Sequence, residues 1–179
     1  DFSKPSWDQN GVKDLSVCNK LYYALGDINT YDNDGTVVML FNKDLYEERF
    51  GEGSYQEIYD LAAKGEWTFD VLEEKVNGFG VEATGDNVRD EFDTYGLLTE
   101  LANLYMHVVA AGEKSLDKNA NDAIEFTLET ERVFDSVNDA VHLYLDQNDV
   151  LVTDLPEYRE KYGGTGDRFY EPVVKAFKE

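Results

Sequence analysis

Thr36-Val37-Val38-Met39-Leu40-Phe41-Asn42-Lys43-Asp44-Leu45 changes character halfway along. Its first six residues are β-branched or apolar without a polar interruption, the pattern of a strand buried on both faces. From Lys43 to Phe50 the chain reads as a short helix, closed by Gly51 and Gly53. A buried strand running directly into a helix belongs to an α/β arrangement. Upstream, Leu21 to Leu25 reads as another strand, separated from the first by Gly26-Asp27-Ile28-Asn29-Thr30-Tyr31-Asp32-Asn33-Asp34-Gly35, a break rich in turn formers. Before it, Asp1 to Asn19 holds Pro5, Trp7 and a short helical stretch around Val12 to Leu15.

Downstream the pattern is mainly helical. Ser54 is placed to cap a helix carrying Ile58, Leu61 and Ala62 that stops near Gly65. Thr68 is placed to cap the next, with Asp70 in its first turn, where the helix dipole favours an anion, and Val71, Leu72 and Val76 as its buried stripe. Trp67, just before that cap, reads as a hydrophobic staple. Gly78 to Glu91 is irregular and acidic. Tyr95-Gly96-Leu97-Leu98 predicts a brief strand leading into a helix with Leu101, Leu104, Tyr105, Val108 and Val109 on one face, ended by Gly112 to Lys114. Ile124 to Leu128 alternates like a strand. Thr130 to Gln147 predicts the longest helix, with Val133, Phe134, Val137, Val141, Tyr144 and Leu145 as its stripe. A last helix is expected from about Asp167, burying Phe169, Val173, Val174 and Phe177 and weakened by Pro172. The expectation is a mainly helical α/β fold over residues 1–179 as a single domain. Its strands are too few to make a self-sufficient sheet, and Thr36 to Phe41 wants neighbours on both sides.

Composition bounds the function. The chain has 179 residues, 42% apolar and 13% aromatic, enough to build a core. Its 38 acidic residues outweigh 16 basic ones, for a formal net charge of -22. Nucleic acid and anionic membrane surfaces would be repelled, while a neutral ligand such as a sugar feels no such penalty. With Cys18 as the single cysteine, no intrachain disulfide forms and no thiolate zinc site is available. The longest apolar runs, such as Val37 to Phe41, are too short to span a bilayer.

Catalytic chemistry has little to work with. His107 and His142, the only histidines, each fall within a predicted helix with no His/Cys cluster around them. No nucleophile elbow, phosphate-binding loop or dinucleotide fingerprint occurs. Asp32-Asn33-Asp34-Gly35 matches part of a calcium loop but lacks a glutamate at its twelfth position. The chain is therefore expected to be no enzyme and to need neither metal nor cofactor. Twelve tyrosines, two tryptophans and many Asp and Asn side chains supply stacking faces and hydrogen-bond partners of the kind sugars use.

Several phrases, in order, resemble one family. Ser3-Lys4-Pro5-Ser6-Trp7-Asp8-Gln9-Asn10 followed by Val12-Lys13-Asp14-Leu15 is similar to the crossover segment of family 1 extracellular solute-binding proteins, the sugar-type substrate-binding proteins of bacterial ABC transporters. Lys20 to Asp27 resembles that family's strand into the hinge, and Val37 to Leu45 its strand-to-helix step. Gly65-Glu66-Trp67-Thr68-Phe69-Asp70 resembles the next helix start in that family, and Asp93-Thr94-Tyr95-Gly96-Leu97 the strand before the cleft helix. Two departures stand out: Ser6 occupies the place of a second tryptophan beside Trp7, and the calcium-like Asp/Asn/Gly loop of relatives is degraded between Gly80 and Asp93.

The resemblance implies a partial C-terminal lobe of a type II periplasmic-binding-protein fold, with the N-terminal lobe of the same protein missing and the chain stopping at Glu179, short of a further core strand. It implies a sugar or oligosaccharide ligand, ABC permease subunits as partners, and an extracellular place as a cell-surface lipoprotein or in the periplasm. Asp27, Tyr31 and Asp32 would line the cleft from the turn, Tyr31 as a stacking ring; Glu100 and Asn103 would face the ligand from the helix start. Two other readings compete. One is a stand-alone helical adhesion module on a cell surface, which predicts a closed fold with no exposed apolar strand edge. The other is a glycoside hydrolase using Asp27 and Glu100 as its carboxylate pair.

Overall fold

A computed structural model describes residues 1–29, 35–156 and 160 of the chain. The structure is mixed α/β, with six helices and a few short strands that build no closed sheet among the described residues. Two compact units divide it: Asp1–Met39 with Val108–Phe134, and Leu40–His107 with Asp135–Glu179. Tyr31, Asp32 and the helix expected from Asp167 lie outside the described residues.

In the first unit, α1 (Gln9–Asp14) starts at Asp8, whose carboxylate accepts the Asn10 N–H. Strands β1 (Ser16–Val17) and β2 (Lys20–Leu21) pair antiparallel. Their two-residue turn, Cys18-Asn19, has positive φ at both positions, the twist that suits a tight hairpin. The strand expected over Leu21 to Leu25 shrinks to its first residue, because Tyr22 to Leu25 pair with no strand among the described residues. Gly26 instead bridges Trp7, in a space so narrow that a Cβ would strike the Ser6 carbonyl. A second hairpin joins β4 (Leu116–Lys118) to β5 (Ile124–Phe126). Its loop is built on Asn119, whose side-chain oxygen accepts the N–H groups of Asn121 and Ala123.

The expected strand over Thr36 to Phe41 is not formed. Thr36 to Leu40 is extended, pairs with no strand among the described residues, and leaves Val37, Val38, Met39 and Leu40 exposed by 61%, 65%, 52% and 74%. Apolarity on both faces predicted burial on both. Among the described residues, no neighbouring strand supplies it with hydrogen bonds and cover.

The second unit opens with α2 (Lys43–Phe50), capped by Asn42, whose side chain accepts the Asp44 and Leu45 N–H groups. In α3 (Gln56–Lys64) the start falls after Tyr55, which makes no side-chain cap, so Ser54 does not serve as the cap expected of it. Gly65 ends α3 in the left-handed conformation. Thr68 does cap α4 (Phe69–Val76), accepting the Val71 N–H, and Leu72 and Val76 are buried as expected. Strand β3 (Leu97–Thr99) comes after Gly96, where a Cβ would meet the Val76 backbone within 2.9 Å or less. A single 3-10 turn (Leu101–Asn103) leads into α5 (Leu104–Ala110), on which Tyr105 and Val109 are exposed rather than part of a buried stripe.

Helix α6 (Glu131–Leu145) buries Val133, Ser136, Ala140, Leu143 and Tyr144. Phe134, Val137 and Leu145, expected on its inner face, are exposed. The expected stripe holds at Val133 and Tyr144, but the other enclosed positions include the small Ser136 and Ala140, which apolar size alone did not single out. Strand β6 (Val150–Val152) is buried throughout and pairs parallel with β3, Leu97 opposite Val150 and Thr99 opposite Val152. Leu72, Val76, Leu143, Tyr144, Val150 and Val152 form the core, with Trp67 packed against it. No helix among the described residues is long and apolar enough to cross a membrane.

Candidate functional site

One set of polar groups of the second unit lies at the carboxyl ends of β3 and β6. In parallel strand pairs this is the end where the chain leaves the layer and where ligands are met. Just past β6, Thr153 gives both its N–H (2.9 Å) and its hydroxyl (3.2 Å) to the Thr99 carbonyl. The buried Asp154 accepts the Leu101 N–H at 2.7 Å. These bonds pin the turn after β3 to the strand beside it. Glu100, half-buried and extended, begins that turn, and its carbonyl accepts the Asn103 N–H at 3.0 Å.

Inward from the turn runs a line of uncharged polar side chains. The Asn103 amide lies 3.4 Å from the Thr99 hydroxyl as its donor. Apart from that contact, the Tyr144 hydroxyl sits 2.6 Å from Nε2 of His107. Thr99 and Tyr144 are 6% and 4% exposed, so their hydroxyls must find protein partners. The His107 ring lies against Phe69, with centroids 4.2 Å apart. Burial lowers the His107 pKa, which keeps the imidazole neutral near pH 7; burial raises that of Tyr144, against the opposing hydrogen bond from Thr99. The turn thus carries the half-buried Glu100 and Asn103 over the enclosed side chains of Thr99, Thr153 and Tyr144.

Of the five residues expected to line a cleft, Glu100 and Asn103 stand together on this turn. Asp27 belongs to the first unit, where it is exposed and its N–H donates to the Ser6 carbonyl at 2.9 Å. Tyr31 and Asp32 lie outside the described residues. Sequence reasoning singled out none of Thr99, Thr153 and Asp154, and it placed Tyr144 in the apolar stripe of its helix and His107 in a helix without a metal or catalytic cluster. One signal was available: Leu97-Leu98-Thr99-Glu100 and Leu151-Val152-Thr153-Asp154 both end an apolar strand in Thr and then an acid.

The first unit holds a groove of about 410 Å³ lined by charged side chains. Two of its three lysines form ion pairs: Lys114 with Asp14 at 2.8 Å and Lys118 with Asp122 at 2.9 Å. The Lys114 hydrogen bond lowers the Asp14 pKa, and the same bond raises that of Lys114. The first pair joins the end of α1 to the segment before β4, and the second lies within the β4–β5 hairpin. Among the described residues, no group of three or more His, Cys, Asp or Glu side chains is arranged to hold a metal ion. No protein-family model, curated protein or solved structure matches the chain.

Proposed function

We propose that this chain is part of the C-terminal lobe of a type II solute-binding protein that captures a sugar or oligosaccharide and delivers it to an ABC permease outside the cell. The observation that carries the reading is the turn at the carboxyl end of the β3–β6 pair, which holds both Glu100 and Asn103, with the Asn103 amide 3.4 Å from the Thr99 hydroxyl. The Glu100 carboxylate and the Asn103 amide are hydrogen-bonding groups of the kind that carbohydrate hydroxyls meet. The net charge of -22 disfavours nucleic acid as a partner. The exposed apolar run from Val37 to Leu40 supports a missing N-terminal lobe, since a stand-alone adhesion module would cover it.

Half a cleft supplies half the contacts, so this chain by itself is expected to bind sugars at about millimolar strength or weaker. Titration of the labelled chain with a panel of mono- and oligosaccharides tests this. Amide resonances of Thr99 to Asn103 and of Thr153 should move with at least one sugar, and Asn103→Ala should abolish the movement. Sub-micromolar binding in calorimetry, or shifts confined to other residues, overturns the half-cleft reading.

A further inference from the structure

His142 stands near the end of α6 with a carboxylate close to each ring nitrogen. Nδ1 lies 3.1 Å from the Asp146 carboxylate, one helical turn on, and Nε2 lies 3.5 Å from Oε1 of Glu73 on α4. A third group meets both. The Gln147 amide nitrogen is 2.9 Å from the same Glu73 oxygen and 3.3 Å from Nε2 of His142. An amide nitrogen only donates, so against Gln147 the Nε2 atom must be bare and accept. The ring then keeps its one proton on Nδ1 and donates it to Asp146. With the ring neutral, the Gln147 amide gives one proton to Glu73 and the other to His142, and every group in the set is satisfied.

A charged ring breaks that arrangement. Nε2 then carries a proton of its own, which faces the amide protons of Gln147 and is drawn to the Glu73 carboxylate. We propose that Glu73, His142 and Gln147 form a proton-driven latch between α4 and the end of α6: the neutral ring is joined to Glu73 through the Gln147 amide, and the charged ring takes Glu73 directly and turns the amide away. The charges bearing on the ring are Asp146 just past α6, Glu73 on α4 and Asp139 on α6, all negative. The Asp146 hydrogen bond, followed by the fields of these carboxylates, raises the His142 pKa against a lowering by desolvation. A histidine with a raised folded-state pKa adds stability that is complete below its usual value of 6.5 and disappears as pH rises through the folded one. Mild acid thus tightens the α4–α6 joint. The turn that follows is held by other groups: the Asn148 carbonyl accepts Arg89, and Asp149 accepts the Gly78 N–H on its carboxylate and the Gly96 N–H on its carbonyl. The switch is therefore local to the three side chains, and it is independent of any ligand at the β3–β6 end.

Nitrogen-15 NMR of the chain through the His142 titration tests the latch. Above the titration midpoint the neutral ring should carry its proton on Nδ1, and the Gln147 side-chain amide resonances should step together with the His142 ring. Gln147→Ala removes a donor that favours the neutral ring, so the midpoint should rise. Asp146→Asn removes a carboxylate that favours the charged ring, so the midpoint should fall. The gain in urea midpoint on passing from above the His142 titration to below it should be larger in the wild type than in His142→Gln. A neutral ring protonated on Nε2, or Gln147 resonances that stay flat while His142 titrates, overturns the latch, and both are read on the wild type without relying on a variant to fold. An unchanged midpoint in Gln147→Ala overturns it too, and equal urea gains in the wild type and His142→Gln overturn the tightening.

Discussion

The two units hold their strands by opposite means. In the second, β6 is buried from end to end and lies beside β3 over Leu72, Val76, Leu143 and Tyr144, so burial of apolar surface does the work. In the first, β4 and β5 are mostly exposed and β1 and β2 pair over only two residues each. Hairpins this short are marginal alone. Here Lys118 serves where a core would: its ammonium donates to the Ser16 hydroxyl (2.8 Å), the Asp122 carboxylate (2.9 Å) and the Lys13 carbonyl. Asp122 also accepts the Asn19 N–H at 2.5 Å, and its carbonyl accepts that of Cys18 at 3.0 Å, so the turn of one hairpin is clasped by the turn of the other. A strand pair can thus be fixed by packing or by a saturated cation, and the two respond to different insults.

The largest expected effect belongs to the packed unit. Leu143 is 1% exposed at the centre of the core. Leu143→Ala should cost about 2–5 kcal/mol by lost transfer energy and residual cavity, read as a fall in the urea midpoint at unchanged slope. A cost as small as that of a surface substitution would mean this core is not what stabilises the unit, and the contrast would collapse.

How far the chain could be read without coordinates tracks the same divide. Helices α2, α4 and α6 were legible from local signals: apolar spacing, a Thr68 cap, closing glycines. The face of α6 was not, because Phe134 and Leu145 outweigh Ser136 and Ala140 in apolar size while the small residues are the ones enclosed. Burial of Thr36 to Leu40 was misjudged because local apolarity carries no information on whether a partner strand exists. The placement of Glu100 and Asn103 on one turn was legible because a strand-to-helix step is a local feature, and the ligand role proposed for them came from resemblance. Thr153 and Asp154 meet that step across more than fifty residues of chain, and such non-local pairing leaves no trace in a local window. The Lys118 clasp was invisible for the same reason, since its partners Lys13 and Ser16 are more than a hundred positions away.

The second effect is smaller and confined to the clasp. Lys118→Met keeps the aliphatic stem and removes all three donors. The Cys18 and Asn19 amides should then exchange roughly tenfold faster, about one hydrogen bond's worth, while amides of β6 keep their protection. Equal loss of protection in both places would show that the two units open together and that the clasp is not a local device.

The smallest effect sharpens the contrast through pH. The Asn19 backbone N–H first, and the Lys118 ammonium second, hold the Asp122 pKa below its usual 3.8. A carboxyl with a depressed folded-state pKa contributes stability that is complete above its unfolded value and disappears as pH falls through the folded one. Asn19 protection should therefore be flat from neutral pH down to about 4 and decline only below that. Asp122→Asn keeps an oxygen for the Asn19 N–H but has no proton to gain, so its acid profile should lose the decline while protection at neutral pH drops slightly. The packed pair has no carboxylate between its strands, but Asp154 caps the turn beyond them. Amides inside β6 should thus stay protected through the interval in which Asn19 loosens. Loosening of β6 at the same midpoint would trace the acid response to general charge on the chain rather than to the Asp122 clasp.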